Sequence, residues 1–156
     1  MEREQIVDAV RDWLDSGDWN YDYDAEKKLI KTGISLDCKL KKCMIIIEFN
    51  DDSYRVLFVP PISGDKNDLG ELMKYLTMAN YGLKNGNFEL DVTDGEIRYK
   101  SYVNTQGLEH LSEEIIKDSI VVCYAMMERY GNGIAALAMG FSDAETEIEK
   151  SEHQDE

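Results

Sequence analysis

The sequence predicts an α+β domain in which an antiparallel five-stranded sheet is flanked by helices, in the order α-β-β-β-α-β-β-α. Apolar residues recur at helical spacing in three segments, and five other segments have the apolar pattern of strands. The chain has 156 residues, of which 43% are hydrophobic, and this is enough apolar material for one core. Such a composition is not that of a disordered chain.

The first predicted helix covers residues 2–15. Ile6, Val10, Trp13 and Leu14 recur there at helical spacing, and polar residues fill the other positions. We expect this helix to end near Gly17. A loop rich in Tyr and Asp follows it.

Three strands come next and form a predicted meander. Leu29–Leu36 alternates between apolar and polar side chains, and Cys43–Phe49 carries the strongest strand pattern of the chain. Tyr54–Val59 follows after a polar turn at residues 50–52. Pro60 and Pro61 then end the pairing, because proline has no backbone N–H to donate to a neighbouring strand.

A second helix, a hairpin and a third helix complete the predicted domain. Asp65–Asp68 offers capping side chains for the second helix, which ends by Gly82. The hairpin joins strands at residues 88–92 and 97–103 through the turn at 93–95. The main helix covers Ser112–Tyr130, and after Gly131-Asn132-Gly133 the residues 134–139 add another helical turn or two.

The end of the chain differs in composition from the rest. Residues 142–156 contain seven acids, one Lys and a single apolar side chain larger than Ala, which is Ile148. This composition is typical of a disordered acidic tail. The sequence therefore predicts one domain at residues 1–141 and a tail at residues 142–156.

Two strands and the main helix carry more apolar side chains than one buried side requires. The strands at 43–49 and 54–59 are apolar on nearly both sides, and residues 120–127 are apolar all round the helix. Either the three helices divide between the two faces of the sheet, or a homodimer buries part of this surface. We expect the homodimer, because closed two-fold pairs are the commonest oligomers.

The net charge of the chain excludes some classes of binding partner. It has 32 Asp and Glu against 17 Lys and Arg, a net charge of -15, with no basic patch interleaved with aromatic residues. Such acidity repels nucleic-acid phosphate and anionic lipid, so neither nucleic acid nor a membrane surface is an expected partner. The longest apolar run has eight residues, which is too short to span a bilayer.

The sequence also favours a cytoplasmic location. Residues 1–5 show no basic region followed by an apolar stretch, so no secretory signal is expected. The three cysteines, Cys38, Cys43 and Cys123, form an odd set in a chain that is long enough to fold without disulfides. This usage is typical of a reducing compartment.

No catalytic constellation emerges from the sequence. His110 and His153 lack partners that would form a triad, and the acids at residues 18–26 fail the calcium-loop pattern at Tyr23, where glycine is needed. Cys38 and Cys43 lack a second pair of zinc ligands. We therefore predict that the protein is not an enzyme and has no catalytic residues, metal or cofactor.

One stretch resembles a known family. Residues 75–91 read YLTMANYGLKNGNFELD and are followed at residues 94–100 by DGEIRYK. The helix-ending Asn, the Gly-x-Phe-x-Leu-Asp strand and the Asp-Gly turn are similar to the YbjN family, whose members are described as regulators in bacterial sensory transduction. The order of elements agrees over about residues 1–140, and the acidic tail is not part of the pattern.

The resemblance implies the fold of type III secretion chaperones. These are small, acidic, often dimeric α+β proteins that bind extended segments of other proteins or act as regulators. The family has no established active site, so the resemblance assigns no catalytic residue to this chain.

The leading hypothesis is therefore a non-enzymatic cytoplasmic regulator or chaperone-like adaptor that binds a protein or peptide client. An edge strand or a helix groove would supply the contacts, and the surrounding acids would select basic or amphipathic segments. The predicted partner-binding residues are apolar and lie on two strands and the main helix: Ile45, Ile47, Val56, Phe58, Val122 and Met126. Two alternatives stay open, a small-ligand sensor and a purely structural dimer module.

Overall fold

The computed structural model describes residues 1–153. Within that range the helices are α1 (Arg3–Ser16), α2 (Gly70–Asn80), α3 (Glu113–Ala138) and α4 (Ala144–His153). The strands are β1 (Asp22–Asp24), β2 (Leu29–Ser35), β3 (Lys42–Phe49), β4 (Ser53–Val59), β5 (Asn87–Leu90) and β6 (Ile97–Asn104). The predicted α+β class, with an antiparallel sheet and flanking helices, is confirmed.

Within residues 1–153 the sheet has six strands, and the prediction of five is wrong. Its order is β1-β2-β3-β4-β6-β5, and every neighbouring pair is antiparallel. The additional strand is β1, which lies in the segment predicted as a Tyr- and Asp-rich loop and pairs Tyr23 with Ile30. Asp disfavours strands, so the pairing of these three residues comes from the neighbouring strand and not from local preference.

The helices cover one face of the sheet. In β3 the buried residues alternate, whereas in β4 Leu57 is buried as well as its neighbours Val56 and Phe58. The buried residues of β3 and β4 that face the helices belong to a single core together with apolar residues of all four helices. Ile46, Leu57 and Val59, on the opposite face, do not belong to that core. The helices therefore do not divide between the two faces, and the second apolar side of the central strands stays outside the helical layer.

Helix α3 is continuous where the sequence predicted a break. It runs through Gly131 and Gly133 to Ala138. Both glycines let other elements approach the helix closely. A Cβ atom at Gly131 would lie 2.6 Å from the sulfur of Cys38, and one at Gly133 would overlap the hydroxyl oxygen of Tyr75. Glycine serves here for packing, not for ending the helix.

The predicted disordered tail is wrong for residues 144–153, which form α4. Ala144 and Ile148 are buried in the common core, and the hydroxyl groups of Tyr75 and Ser151 hydrogen-bond at 2.9 Å. Tyr130 donates a hydrogen bond to the Glu152 carboxylate at 2.9 Å. Contacts with α2 and α3 hold this acidic segment in place, so α4 packs with residues 1–141. The last three residues of the predicted tail, 154–156, lie outside the described part of the chain.

None of the helices in residues 1–153 combines the length and the apolar character that a membrane crossing requires.

The close contact at Gly133 gives a stability prediction. The added methyl group of Gly133→Ala would overlap the Tyr75 ring, so we expect the free energy of unfolding to fall by about 1–3 kcal/mol. Urea denaturation monitored by circular dichroism measures the change. Gly70→Ala is the matched control, because nothing lies within 4 Å of its added methyl group and it should leave stability unchanged or raise it by up to about 1 kcal/mol. Equal stability of the two variants would contradict this account of α3.

Candidate protein-binding face of the sheet

Four of the six predicted partner-binding residues lie in the core. Ile45, Ile47, Val56 and Phe58 are at most 1% exposed and face the helices. They are therefore not available to a partner in this fold, and their assignment to a binding surface is corrected. Both sides of these strands are apolar, so the alternation in the sequence did not reveal which side the helices cover.

The two predicted residues on α3 are in a different position. Val122 and Met126 are half-buried, and both pack against the edge of the core. The structure does not bring them together with the four strand residues on one surface. Their role in partner binding stays a prediction.

The opposite face of the central strands carries the uncovered apolar side chains. Met44 pairs with Val59, and Ile46 pairs with Leu57, so four apolar residues of β3 and β4 form one block, which we call the apolar block. Met44 is 43% exposed, whereas Leu57 is only 2% exposed. The sequence signal for this surface was present, because these are the residues that made the central strands apolar on both sides.

Lysine residues flank the apolar block. The register places Lys31, Ile46, Leu57 and Lys100 in one row across β2, β3, β4 and β6. A lysine has a long aliphatic stem that lies along apolar surface while the ammonium group stays in water. The row therefore presents an apolar centre between two lysines. Each ammonium group has three N–H donors for a carbonyl or carboxylate of a bound chain, although one donor of Lys100 already bonds to Glu89 at 3.0 Å.

Ion pairs fix the rim of this face. Arg55 lies 2.5 Å from Glu48 on the neighbouring strand, and Glu89 accepts hydrogen bonds from Arg98 at 2.7 Å and Lys100 at 3.0 Å. Burial disfavours the charged form of Glu89, but the bonds from Lys100 and Arg98 outweigh it, so the pKa of this carboxyl lies below its ordinary value. The long side chains beside the apolar block are thereby held in place.

The charge of this face differs from that of the chain as a whole. The charged strand residues on the open face are Lys31, Lys42, Arg55, Arg98 and Lys100 against Asp22, Asp24, Glu48 and Glu89. Five bases against four acids give a net charge of +1, in a chain of net charge -15. An approaching segment meets little repulsion here, whatever its own sign.

The edges of the sheet provide less surface for binding a partner than its open face does. The edge strands are β1, with three residues, and β5, with four. Short edge strands and acidic side chains such as Asp22 and Asp24 are common protections against unwanted strand pairing. Backbone pairing at an edge would therefore be limited to a few hydrogen bonds.

The cysteines do not form a reactive centre. All three are buried and free, and burial raises the pKa of Cys43 and Cys123 to about 12 and raises that of Cys38 as well. Protonated thiols are poor nucleophiles and poor metal ligands. Among residues 1–153, no group of three or more His, Cys, Asp or Glu side chains is arranged to hold a metal ion.

Comparisons with known proteins identify the fold. No protein-family model matches the sequence, and no curated protein matches it. Among solved structures, the chain is similar to YbjN from E. coli, a structure described as that of a candidate transcription regulator, with a TM-score of 0.61 and 12% identity. The match covers 85% of this chain and 92% of that one.

A second solved structure with a similar fold is part of a chaperone–effector complex. The HopA1–SchA chaperone–effector complex contains a chain that matches with a TM-score of 0.55 and 9% identity, over 82% of this chain and 93% of the other. At these identities the likeness is one of fold. The resemblance to the YbjN-like, chaperone-like fold that the sequence carried is confirmed.

The ion pairs around Glu89 give a pH prediction. The folded pKa of Glu89 lies below its ordinary value of 4.5, so its ionisation stabilises the fold above that pH, and the stabilisation is lost as the pH falls through the folded pKa. We expect Glu89→Gln to lower stability at neutral pH, and we expect the difference from the unaltered protein to shrink below about pH 4.5. Denaturant unfolding measured across acidic pH tests this.

Glu26→Gln removes the same charge from an exposed turn and controls for the change in net charge. A difference for Glu89→Gln that stays constant or grows in acid would show that the pairs do not stabilise the folded state.

Proposed function

We propose that this protein is a non-enzymatic regulator or chaperone-like adaptor that binds a segment of another protein on the open face of its sheet. The observation that carries the proposal is the apolar block of β3 and β4, which the helical layer leaves uncovered. The fold supports it, since a chaperone–effector complex contains a chain of the same architecture.

The face suits an extended or amphipathic segment better than a small molecule. Met44, Ile46 and Val59 form a shallow surface that apolar side chains of a segment can cover, which removes apolar area from water. Lys31 and Lys100 lie at the two ends of the central row and can bind backbone carbonyls or carboxylates of the segment. Apolar contact would give affinity, and the two lysines would orient the chain.

The cellular setting is part of the proposal. Free, buried thiols fit a reducing compartment, so we place the protein in the cytoplasm. A role in bacterial sensory transduction follows from the resemblance to the YbjN family, and it is proposed on that basis alone.

Capture of a client from the source cells tests the adaptor function. Met44→Asp places a carboxylate at the apolar block, and Met73→Asp places one on α2; the two methionines are 43% and 45% exposed, which makes the variants a matched pair. We expect a protein to co-purify at near-equal stoichiometry with the unaltered chain and with Met73→Asp, and to be lost with Met44→Asp. Quantitative mass spectrometry measures recovery, and calorimetry with the purified client confirms direct binding.

Both variants must first be shown to fold by thermal melting. A client that both variants retain would place binding elsewhere, and recovery of the chain alone would overturn the adaptor function. Ile47→Asp is unsuitable for this experiment, because it would place a charge in the core.

Self-association into a homodimer is a separate proposal. It is supported by the apolar side chains that α3 leaves exposed, including Ile115 at 36% and Val121 at 45%. We expect light scattering to give the mass of two chains for the unaltered protein and of one chain for Val121→Asp. Met73→Asp again serves as control, and a monomer at all accessible concentrations would contradict the dimer.

A further inference from the structure

A groove with an apolar floor and a basic rim lies on the helical side of the molecule. It consists of two adjoining depressions, of about 260 and 430 Å³, which share Lys39, Ala136, Glu147 and Lys150. The turn between β2 and β3, the second half of α3 and helix α4 form its walls. We call it the basic groove; neither the apolar block nor the face that carries it contributes to its lining.

The apolar part of the basic groove includes two strongly exposed side chains. Met139 is 57% exposed and Phe141 is 75% exposed. The backbone holds Phe141 in place, because its N–H donates to the Ala136 carbonyl at 2.9 Å while Gly140, with a φ of 75°, donates to Leu137 at 3.1 Å. These two bonds form a Schellman motif, in which an apolar residue at the position of Phe141 usually packs against the position of Ala136.

That contact is weak here, because alanine is too small to cover an aromatic ring. Phe141 is thus ordered through its backbone while its ring stays in water. Exposed apolar side chains that adjoin one another in this way mark interaction sites more often than isolated ones do.

The rim of the basic groove carries an excess of positive charge. Lys39, Arg129 and Lys150 line it, with Glu147 as the acidic lining residue. Glu147 is 5% exposed and lies 3.5 Å from Lys150, so its charge is partly neutralised. The lining therefore has a net charge of +2 in a chain of net charge -15.

Two of these basic residues sit on fixed parts of the fold. The Nε atom of Arg129 donates to the Ser151 carbonyl at 3.3 Å, and its guanidinium lies 5.4 Å from the centre of the Tyr130 ring. The backbone N–H of Lys39 donates to the Asn132 side chain at 2.8 Å. The Arg129 guanidinium and the backbone of Lys39 are thus held in place before any partner arrives, which lowers the entropy cost of binding.

We infer that the basic groove binds an acidic segment of another protein that also carries an apolar or aromatic side chain. The apolar side chain packs on Met139 and Phe141, and carboxylates of the segment pair with Lys39, Arg129 and Lys150. Complementary charge selects the acidic partner, since a basic segment would meet three like charges. The inference concerns a surface separate from the open face of the sheet, and it holds or fails independently of that site.

Fluorescence anisotropy with the full chain and short labelled peptides tests this inference. The first probe is a synthetic peptide of Glu, Leu and Phe, and the second has Lys in place of every Glu. We expect the acidic peptide to bind and the Lys peptide not to bind, with an affinity that falls as salt is added. Phe141→Ser and Lys39→Glu should each weaken binding by about tenfold or more.

Matched variants outside the groove control for these changes. Val92→Ser removes an apolar side chain that is 56% exposed, and Lys117→Glu reverses an exposed charge on α3; both should bind like the unaltered protein. Met44→Asp should also retain binding, which separates this site from the face of the sheet.

Several results would overturn the inference. Equal binding of the two peptides, equal weakening by the control variants, or no binding at about millimolar peptide would each do so. Full competition by inorganic phosphate would show a site for small anions only. Self-association that Lys39→Glu abolishes would assign the basic groove to a second copy of this chain.

Discussion

The packing of α3 on strands β4 and β6 is the constraint on which the rest of the structure depends. The hydroxyl of Ser101 donates to the Ser119 carbonyl at 2.6 Å, and the hydroxyls of Tyr54 and Ser119 hydrogen-bond at 3.0 Å. All three side chains are buried. A buried polar group without its partner costs about 1–3 kcal/mol, so these bonds allow one position of the helix along the sheet and penalise others.

The length of α3 then determines where the other elements meet. With 26 residues the helix is about 39 Å long, and its second half serves as the support for the β2–β3 turn, α2 and α4. Glu128 accepts hydrogen bonds from the backbone N–H groups of Asp37 and Cys38, and Asn132 accepts one from Lys39. The basic groove exists because these elements converge on one helix. The open face of the sheet exists because the same arrangement places the helices on a single side.

Most of the secondary structure could be predicted from the sequence, because hydrophobic period and turn chemistry are local properties. The central strands, the hairpin after α2 and the three main helices all follow such patterns. The failures have non-local causes. Strand β1 forms through pairing with β2, the glycines of α3 serve close packing, and α4 is held by Tyr75 and Tyr130 from other helices.

The sequence indicated that the central strands are apolar on both sides, but it did not show which side the helices cover. Ile45 and Ile47 are buried under the helices, whereas Met44 and Ile46 lie on the open face, where partner binding is a proposal. The basic groove had no signal at all in the sequence, because Lys39, Arg129 and Lys150 are distant along the chain and become neighbours only when α4 packs on α3.

The sequence by itself determined the class of fold, the likeness to the YbjN family and the acidity of the chain. These properties depend on composition and short-range pattern, which do not require contacts between distant segments. Only the tertiary structure decided which side of each strand is covered, whether a glycine ends a helix, and which charges share a surface. Those outcomes are set by contacts between segments far apart in sequence, where burial and hydrogen bonding outweigh local preference.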